Sequence, residues 1–196
     1  MRKIILASSS PRRKQLLQDL IGNNFEIIPS SYNEENVPNM DPVKLALHHS
    51  LQKARYIAKK LESGIIIGVD TFVVLGNIIL GKPYNKENAK KMLMQQSGRN
   101  ITVVSGLALI DIDNKKEIQD YEITKVKIKK LSEKEINMYI KTGESLDKAG
   151  AFGVQGKGAL FVERIEGCYF NIVGMPLFRL NTLFQKIGIN LVEYNN

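Results

Sequence analysis

A change of pattern near the start of the chain places a strand, a polar turn and a helix in direct succession. Residues Ile4 to Ala7 form an apolar run typical of a strand. After the polar stretch 8–13, leucine and isoleucine at positions 16, 17, 20 and 21 mark one face of a helix. Ser10 is a favourable N-cap for this helix and Pro11 a favourable first residue. The polar stretch is therefore the turn from a strand to a helix.

This turn carries two arginines, Arg12 and Arg13, at the start of the predicted helix. Positive charge is unfavourable there for the helix dipole, whereas the backbone N–H groups of a helix start favour an anion. Both arginines are accounted for if a phosphate binds at the turn. A capped helix with two solvated arginines fits the stretch equally well, so the residues alone leave both interpretations open.

The composition is that of an ordinary globular chain. Of the 196 residues, 43% are hydrophobic and 24% are charged, which is enough for one domain with a substantial core. A single cysteine, Cys168, excludes an intramolecular disulfide and fits a reducing compartment. The first apolar run is too short for a signal peptide, and no run approaches the length of a membrane span. A cytoplasmic location without a membrane partner is therefore expected.

The net charge of +8 suits an anionic partner, and a nucleotide or a nucleic acid would both qualify. The lysines, however, are scattered over predicted helix surfaces, and basic residues do not alternate with aromatic ones. This distribution indicates a solvated surface and disfavours a nucleic-acid interface.

Strand and helix patterns continue through the rest of the chain. After a polar loop from Ser30 to Asp41, apolar residues spaced 4, 3, 4 and 3 apart predict a helix from Pro42 to Glu62. The further predicted elements are a strand from Ile65, a hairpin over Phe72–Leu80, a helix from the Asn85 cap to Gln96, strands at Ile101–Ile110 and Ile118–Ile128, a helix from the Ser132–Glu135 capping box to Gly143, a glycine-rich loop at Gly150–Gly158, and a helix from Pro176 to Lys186. This mixture favours one α/β domain over residues 1–196, with a long, bent, mixed sheet.

Asp70 is the strongest single candidate for catalysis. It follows three isoleucines at positions 65–67 and is therefore expected at the end of a buried strand, where ligands gather in open α/β sheets. A carboxylate at such a place can act as a base or hold a metal ion. The alternative is an aspartate that caps a turn through Thr71.

Two further stretches are rich in glycine. Residues 76–83 nearly match a phosphate-binding P-loop. However, Pro83 replaces the magnesium-binding Ser or Thr, and the stretch lies in a predicted hairpin and not between a strand and a helix. We therefore reject the interpretation as a P-loop. Lys82 stays a candidate phosphate ligand because Pro83 fixes the chain after it.

The glycines of residues 150–158 would let the backbone approach a ligand closely, and the Gln155 amide could form hydrogen bonds with the edge of a base. A tight bend is the alternative for this stretch.

Two other residue types receive a structural interpretation. His48 and His49 are adjacent on the predicted helix and cannot face the same way, so they do not predict a metal pair. Cys168 has no basic cluster or obvious histidine partner and is interpreted as a small core residue.

Taken in order, these stretches resemble the Maf family of nucleotide pyrophosphatases. The most specific matches lie at residues 6–13 and 147–156, and weaker ones at 52–54, 68–71, 80–83, 97–99, 131–136, 142–144 and 173–176. The resemblance covers nearly the whole chain. It implies an elongated mixed β-sheet with flanking helices and two lobes around a cleft, similar to inosine triphosphate pyrophosphatases.

The resemblance also implies cleavage of a nucleoside triphosphate to the monophosphate and pyrophosphate. One subgroup of the family acts on dTTP and UTP and another on 7-methyl-GTP, and the subgroups differ at three motif positions. Arg12, Thr71 and Gln155 match the pyrimidine subgroup at all three. The implied substrates are dTTP and UTP, with modified pyrimidine nucleotides also open. The alternatives are a 7-methyl-GTP pyrophosphatase and a non-enzymatic nucleotide or nucleic-acid binder linked to division control.

Roles follow from the resemblance and from the chemistry of each residue type. Asp70 is the expected base for water, and Glu34 is expected to orient the water or a metal ion. Lys82 is expected to join Asp70 and Glu34 in catalysis through contact with phosphate. The other residues expected to contact the substrate are Ser8, Ser10, Arg12, Arg13, Lys53, Thr71 and Gln155. A divalent cation, Mg²⁺ or Mn²⁺, is the expected cofactor. Its ligands stay open because Asn33-Glu34 stands where the family usually has an acidic pair. The oligomeric state is not determined by the sequence, and a homodimer is one possibility.

Overall fold

The computed structural model describes residues 2–34 and 40–195, in which strands and helices alternate. The strands are Ile4–Leu6 (β1), Glu26–Ile27 (β2), Ile65–Leu75 (β3), Ile78–Leu80 (β4), Asn100–Asp111 (β5), Lys116–Ile128 (β6) and Val162–Glu166 (β7). The α-helices are Pro11–Ile21 (α1), Pro42–Ala58 (α2), Lys86–Gln96 (α3), Glu133–Lys141 (α4), Tyr169–Val173 (α5) and Leu177–Lys186 (α6). Short 3₁₀ helices lie at Ala149–Ala151, Gly156–Phe161 and Leu191–Asn195. Within the described ranges, no helix combines the length and apolar character that crossing a membrane requires.

The strands form a mixed sheet in the order β2-β1-β3-β5-β6-β7, with β4 paired to β3. β1 is parallel to both β2 and β3, in a register that pairs Ile5 with Ile66. β4 is antiparallel to β3, and β7 is antiparallel to β6. Helices flank this sheet, so the predicted α/β class with a mixed sheet is confirmed.

The chain divides into two compact units. The first consists of Met1–Asp70, Ser105–Glu122 and Gly174–Asn196, and the second of Thr71–Val104 and Ile123–Val173. Each unit buries its own apolar cluster. That residues 1–196 act as one domain stays a prediction.

Helix α2 of the first unit lies with its backbone directly against the sheet. A Cβ atom at Gly68 would lie 2.0 Å from the carbonyl oxygen of Ser50, and one at Gly106 would lie 2.2 Å from that of Ala46. Only glycine permits backbones to approach so closely. The cluster beneath the helix consists of Ile5, Ala7, Ala54, Ile57, Ile66, Ala108 and Ile110. The approach brings the side chains of α2 next to β3.

Residues near both ends of the described chain also meet in the first unit. The Arg2 guanidinium pairs with Asp111 and, at 3.2 Å, with Asp113, while the Tyr194 hydroxyl donates to the carbonyl of Arg2. Burial opposes the charge of Asp111, but hydrogen bonds from Arg2 and Asn114 outweigh burial and hold the pKa of Asp111 below its ordinary value. These contacts fix the backbone at the start of β1.

The second unit packs α3 and α4 over its own strand segments. Its largest buried side chains include Leu93 of α3, Ile136 of α4 and Phe161, and the ring of Phe161 meets that of Tyr139 edge-on with centroids 4.9 Å apart. Such an edge-to-face pair is a favoured aromatic geometry. The cluster includes Leu80, two residues before Lys82, and Phe152, three residues before Gln155.

Helix starts follow the sequence signals closely. Ser10 caps α1 and Pro11 is its first residue, as predicted. Asn85 caps α3 by accepting the N–H of Asn88 at 2.8 Å. The Ser132–Glu135 capping box of α4 is present in both directions. These predictions are confirmed.

Other boundaries differ from the predictions. Helix α2 ends at Ala58 instead of Glu62. Beyond Ala58 the backbone hydrogen bonds span three residues instead of four, from the N–H of Lys60 to the carbonyl of Ile57 and from the N–H of Leu61 to the carbonyl of Ala58. The predicted loop Gly150–Gly158 overlaps two 3₁₀ helices. Of the predicted loop Ser30–Asp41, residues 35–39 lie outside the described residues.

The position of Asp70 is a second correction. β3 runs without a break from Ile65 to Leu75, so Asp70 lies in the middle of a strand and its expected place at a strand end is wrong. Gly68 lies inside this strand, at the point where the backbone of α2 approaches it. Asp70 is therefore held by pairing on a central strand of the sheet.

The close approach of α2 predicts that Gly106→Ala destabilises the protein. The new methyl group would meet the backbone of α2, which no rotamer change can relieve, and overpacking of this kind costs roughly 1–3 kcal/mol. Thermal and urea unfolding followed by circular dichroism measure the loss. Gly81→Ala is the matched control, because a Cβ atom there meets nothing within 4 Å. Equal stability of the two variants would contradict the described packing.

Candidate active site

The turn between β1 and α1 is closed by two serine hydroxyls. Ser10 Oγ accepts the backbone N–H of Arg13 at 3.5 Å, which caps α1. Ser8 Oγ accepts the N–H of Ser10 at 3.3 Å and Nη1 of Arg13 at 3.1 Å. Ser8 is buried and Ser10 half-buried. Both serines thus shape the turn in which the first predicted phosphate contacts lie.

Arg13 ties this turn to neighbouring backbone. Its Nε donates to the carbonyl of Gly174 at 2.9 Å, and its Nη1 donates to that of Val69 at 3.1 Å. Burial lowers the pKa of the guanidinium, Asp70 and Glu34 act to raise it, and Arg12 lowers it further. The interpretation as a solvated arginine therefore fails for Arg13, which is an integral cation of the first unit. Arg12 is half-buried beside it.

Lys53 links two carboxylates in the first unit. It lies on α2, and its side chain is only 11% exposed. Its ammonium pairs with Oδ1 of Asp70 and, at 2.7 Å, with Oε1 of Glu34. The structure thus brings together the predicted base, its predicted assistant and a cation. Because a buried ammonium needs partners, the three side chains hold one another in place.

The Asp70 carboxylate is buried, with 4% of the residue exposed. Its Oδ1 is bound by Lys53, whereas its Oδ2 has no hydrogen-bond partner among the described residues. Leaving a buried polar atom without a partner is costly, and a catalytic role is one explanation for such an atom. This oxygen can take a proton from a water molecule or bind a cation.

Glu34 faces solvent more than Asp70 does. Burial acts to raise the pKa of its carboxyl group, but the charge and hydrogen bond of Lys53 outweigh burial, and the pKa lies below its ordinary value. His49 and Arg13 lower it further. Glu34 is therefore ionised at neutral pH.

His49 is a member of this cluster that sequence reasoning missed. The residue is 1% exposed, and its Nδ1 lies 3.3 Å from the hydroxyl of Tyr32, which also lies 3.4 Å from Nε2 of His48. Burial lowers the pKa of His49, and the negative charges of Asp70 and Glu34 act against that lowering. The signal that could have found it is the spacing of four residues between His49 and Lys53, which places both on one face of α2.

The donor set of the first unit fits a divalent cation that also binds substrate. Glu34 and the unpaired oxygen of Asp70 offer carboxylate ligands, and Mg²⁺ is usually held by one or two carboxylates together with phosphate oxygens. Within residues 2–34 and 40–195, no group of three or more His, Cys, Asp or Glu side chains is arranged to hold a metal ion.

The remaining predicted residues, Thr71, Lys82 and Gln155, belong to the second unit. Thr71 is half-buried on β3, and Lys82 is exposed after β4, just before the buried Pro83. Gln155 is exposed and has an extended backbone at the start of the 3₁₀ helix Gly156–Phe161.

Backbone contacts connect the loops of Lys82 and Gln155 within the second unit. The N–H of Gly150 donates to the carbonyl of Gly81 at 3.0 Å, and Nε2 of Gln96 donates to the carbonyl of Gly150 at 2.6 Å. The glycine-rich stretch is therefore fastened at its first residue to the segment that carries Lys82.

Full-length relatives are numerous. A protein of Methanosarcina barkeri named dTTP/UTP pyrophosphatase is 52% identical over 193 residues, covering 98% of each chain. A protein of Ruminiclostridium cellulolyticum with the same name is 48% identical, covering 98% of this chain and 100% of its own.

Solved structures and a family profile complete the comparison. A HAM1 protein from Coxiella burnetii is similar to this chain with 17% identity and a TM-score of 0.47, over 65% of this chain and 73% of its own. Residues 3–187 match the profile of the family described as Maf-like protein. That match spans nearly the whole chain and agrees with the full-length relatives, and the protein therefore belongs to the Maf-like family.

Proposed function

We propose that the protein hydrolyses dTTP and UTP to the nucleoside monophosphate and pyrophosphate. Its full-length relatives carry the name of this activity. The observation that carries the proposed mechanism is the buried Asp70 carboxylate, which is bound by Lys53 at one oxygen and lacks a described partner at the other.

Asp70 is the base in this proposal. Water attacks the α-phosphorus and forms a new P–O bond, while the bond from that phosphorus to the bridging oxygen breaks and pyrophosphate leaves. The proton lost by the water goes to Oδ2 of Asp70. Lys53 fixes the carboxylate in one orientation, and a correctly placed base contributes typically 10²–10⁴-fold to a reaction of this kind.

The cations of the site offset the charge of the triphosphate. Arg12 and Lys82 are our proposed phosphate ligands, and Ser8, Ser10 and Arg13 support the turn at which the phosphates bind. Preorganised donors and cations lower the barrier because they require no rearrangement while charge develops. A divalent cation, Mg²⁺ or Mn²⁺, would be held by Glu34 together with phosphate oxygens and would supply further neutralisation of charge.

Gln155 and Thr71 are proposed to read the base. Uracil and thymine present two carbonyl acceptors and one N–H donor, which a side-chain amide can complement because it both donates and accepts. The exposure of Gln155 at the start of the 3₁₀ helix Gly156–Phe161 supports this role.

We further propose that the protein acts in the cytoplasm, as one domain, and without a membrane partner. A homodimer stays a prediction. A non-enzymatic binder of anions would have little use for a buried carboxylate beside Lys53, so the cluster around Asp70 favours an enzyme over a binding module.

Replacement of Asp70 tests the base directly. Asp70→Asn keeps an oxygen for Lys53 but cannot take up the proton, so turnover of UTP should fall at least about 10²-fold while nucleotide binding persists. Pyrophosphate release measures turnover, and calorimetry with a non-hydrolysable UTP analogue measures binding. Asp19→Asn, at an exposed position on α1, is the matched control. Near-normal turnover of Asp70→Asn would refute the assignment.

Arg12→Ala and Lys82→Ala should weaken the transition-state contacts to phosphate. A lost hydrogen bond to a charged group costs roughly 1.5–3 kcal/mol, so kcat/KM should fall by about 10- to 150-fold, with a rise in KM. Steady-state kinetics with UTP provide the measurement. The exposed neighbours Lys14 and Lys86 serve as alanine controls. If both site variants match these controls, the phosphates bind elsewhere.

Substrate preference tests the proposed specificity. Values of kcat/KM should be higher for UTP and dTTP than for ATP, GTP and 7-methyl-GTP under one metal condition, since a site built on hydrogen bonds rejects bases that leave its groups unpaired. Gln155→Glu should erode this preference because an ionised carboxylate only accepts. A preference for 7-methyl-GTP or another purine would contradict the pyrimidine assignment and leave pyrophosphatase activity standing.

A further inference from the structure

The segment that carries Gln155 is intrinsically flexible yet closely held. Residues 153, 156 and 158 are glycines, which have unusual backbone freedom. A Cβ atom at Gly158 would nevertheless lie 2.2 Å from the carbonyl oxygen of Gly153, so the two ends of the segment touch. A loop with three glycines in six residues needs outside contacts to keep one conformation.

Glu144, which follows α4, supplies such a contact on one side of Gln155. Its Oε2 accepts the backbone N–H of Lys157 at 3.1 Å. The same carboxylate lies beside Gly156, which has a φ of +74°, and a Cβ atom there would be 2.9 Å from Oε2. The carboxylate thus rests against the two residues that immediately follow Gln155.

Lys148 supplies a contact on the other side. Its aliphatic chain lies against Gly153, where a Cβ atom would be 2.6 Å from Cε. Its ammonium donates to the carbonyl of Glu144 at 2.7 Å and to Oδ1 of Asp147 at 2.6 Å. Glu144 and Lys148 are therefore joined to each other, and together they bracket Gln155 at Gly153 and at Gly156–Lys157.

From this bracket we infer that Glu144 is a positioning residue for base recognition. It holds the main chain directly after Gln155, and its carbonyl accepts the ammonium of Lys148, which packs against Gly153 before Gln155, so the amide is presented to a pyrimidine from an ordered loop. Ordering the loop before binding removes an entropic cost that the nucleotide would otherwise meet. A carboxylate suits this task because a hydrogen bond from N–H to an ionised acceptor is stronger than one to a neutral acceptor. The inference rests on the proposed function in one respect, that Gln155 contacts the base.

Hydrogen exchange followed by mass spectrometry tests the anchor without any substrate. In Glu144→Ala, exchange of the segment 153–158 should be at least about tenfold faster, the scale set by the loss of one hydrogen bond to a charged acceptor. Glu144→Gln keeps an oxygen that can accept the N–H of Lys157 and should stay close to the parent protein. Glu163→Ala, at an exposed glutamate of β7, is the matched control and should leave exchange of this segment unchanged.

Kinetics test the consequence for recognition. In Glu144→Ala, KM for UTP should rise about tenfold with a smaller change in kcat, and the ratio of kcat/KM for UTP over CTP should fall, with rescue by Glu144→Gln. If Glu144→Ala fails to fold, Glu144→Asp replaces it, because the shorter side chain keeps its charge but withdraws from Lys157. A fall in stability without a change in the UTP-to-CTP ratio is what a merely structural residue would give.

The outcomes separate the two claims. If the parent protein hydrolyses neither UTP nor dTTP, the proposed function fails, and a faster exchange of segment 153–158 in the variants still supports the anchor. Unchanged exchange in Glu144→Ala or Glu144→Asp overturns the inference whatever the kinetics. The inference is also overturned if exchange becomes faster while KM and the UTP-to-CTP ratio stay those of the parent protein, because the loop would then not position Gln155.

Discussion

The contact of the α2 backbone with Gly68 and Gly106 determines the geometry of the first unit. A helix seated so closely on a sheet cannot slide or rotate without a clash between backbones, so its side chains meet the strands in one register. Successive helix residues point about 100° apart, and a shift by one residue would turn Lys53 away from β3. The ion pair between Lys53 and Asp70 thus depends on the close helix–sheet packing that Gly68 and Gly106 permit.

The charges of the first unit are balanced around that ion pair. The cations Arg13 and Lys53 lie with the carboxylates of Glu34 and Asp70, and each carboxylate is bound by Lys53. Ionised groups stay buried only when they have partners, and this cluster provides them within the protein. Arg13 adds two backbone carbonyls as acceptors, which fix its position independently of any ligand. The cluster is in this sense held in place by contacts within the protein.

Local signals in the sequence were sufficient for the helix starts at Ser10, Asn85 and Ser132, because a cap depends on only a few neighbouring residues. The family resemblance named the candidate site residues, but the contacts between them could not be derived from the sequence. The pairing of Lys53 with Asp70 spans 17 residues and depends on where α2 crosses β3. Asp70 was expected at a strand end because it follows the three isoleucines at 65–67, which is wrong since β3 continues to Leu75. β2, β7 and α5 were not predicted, because the first two are short edge strands and α5 is barely longer than one helical turn.

The bond between Tyr194 and the backbone of Arg2 has a consequence for synthesis on the ribosome. The first unit is assembled from segments at the beginning, middle and end of the chain, whereas every residue of the second unit is translated before Gly174. Domains usually fold as units, N-terminal part first during synthesis. In this chain the full set of native contacts of β1 and α1 includes Gly174 and Tyr194, so the unit that contains Asp70 can be completed only after the whole second unit has been translated.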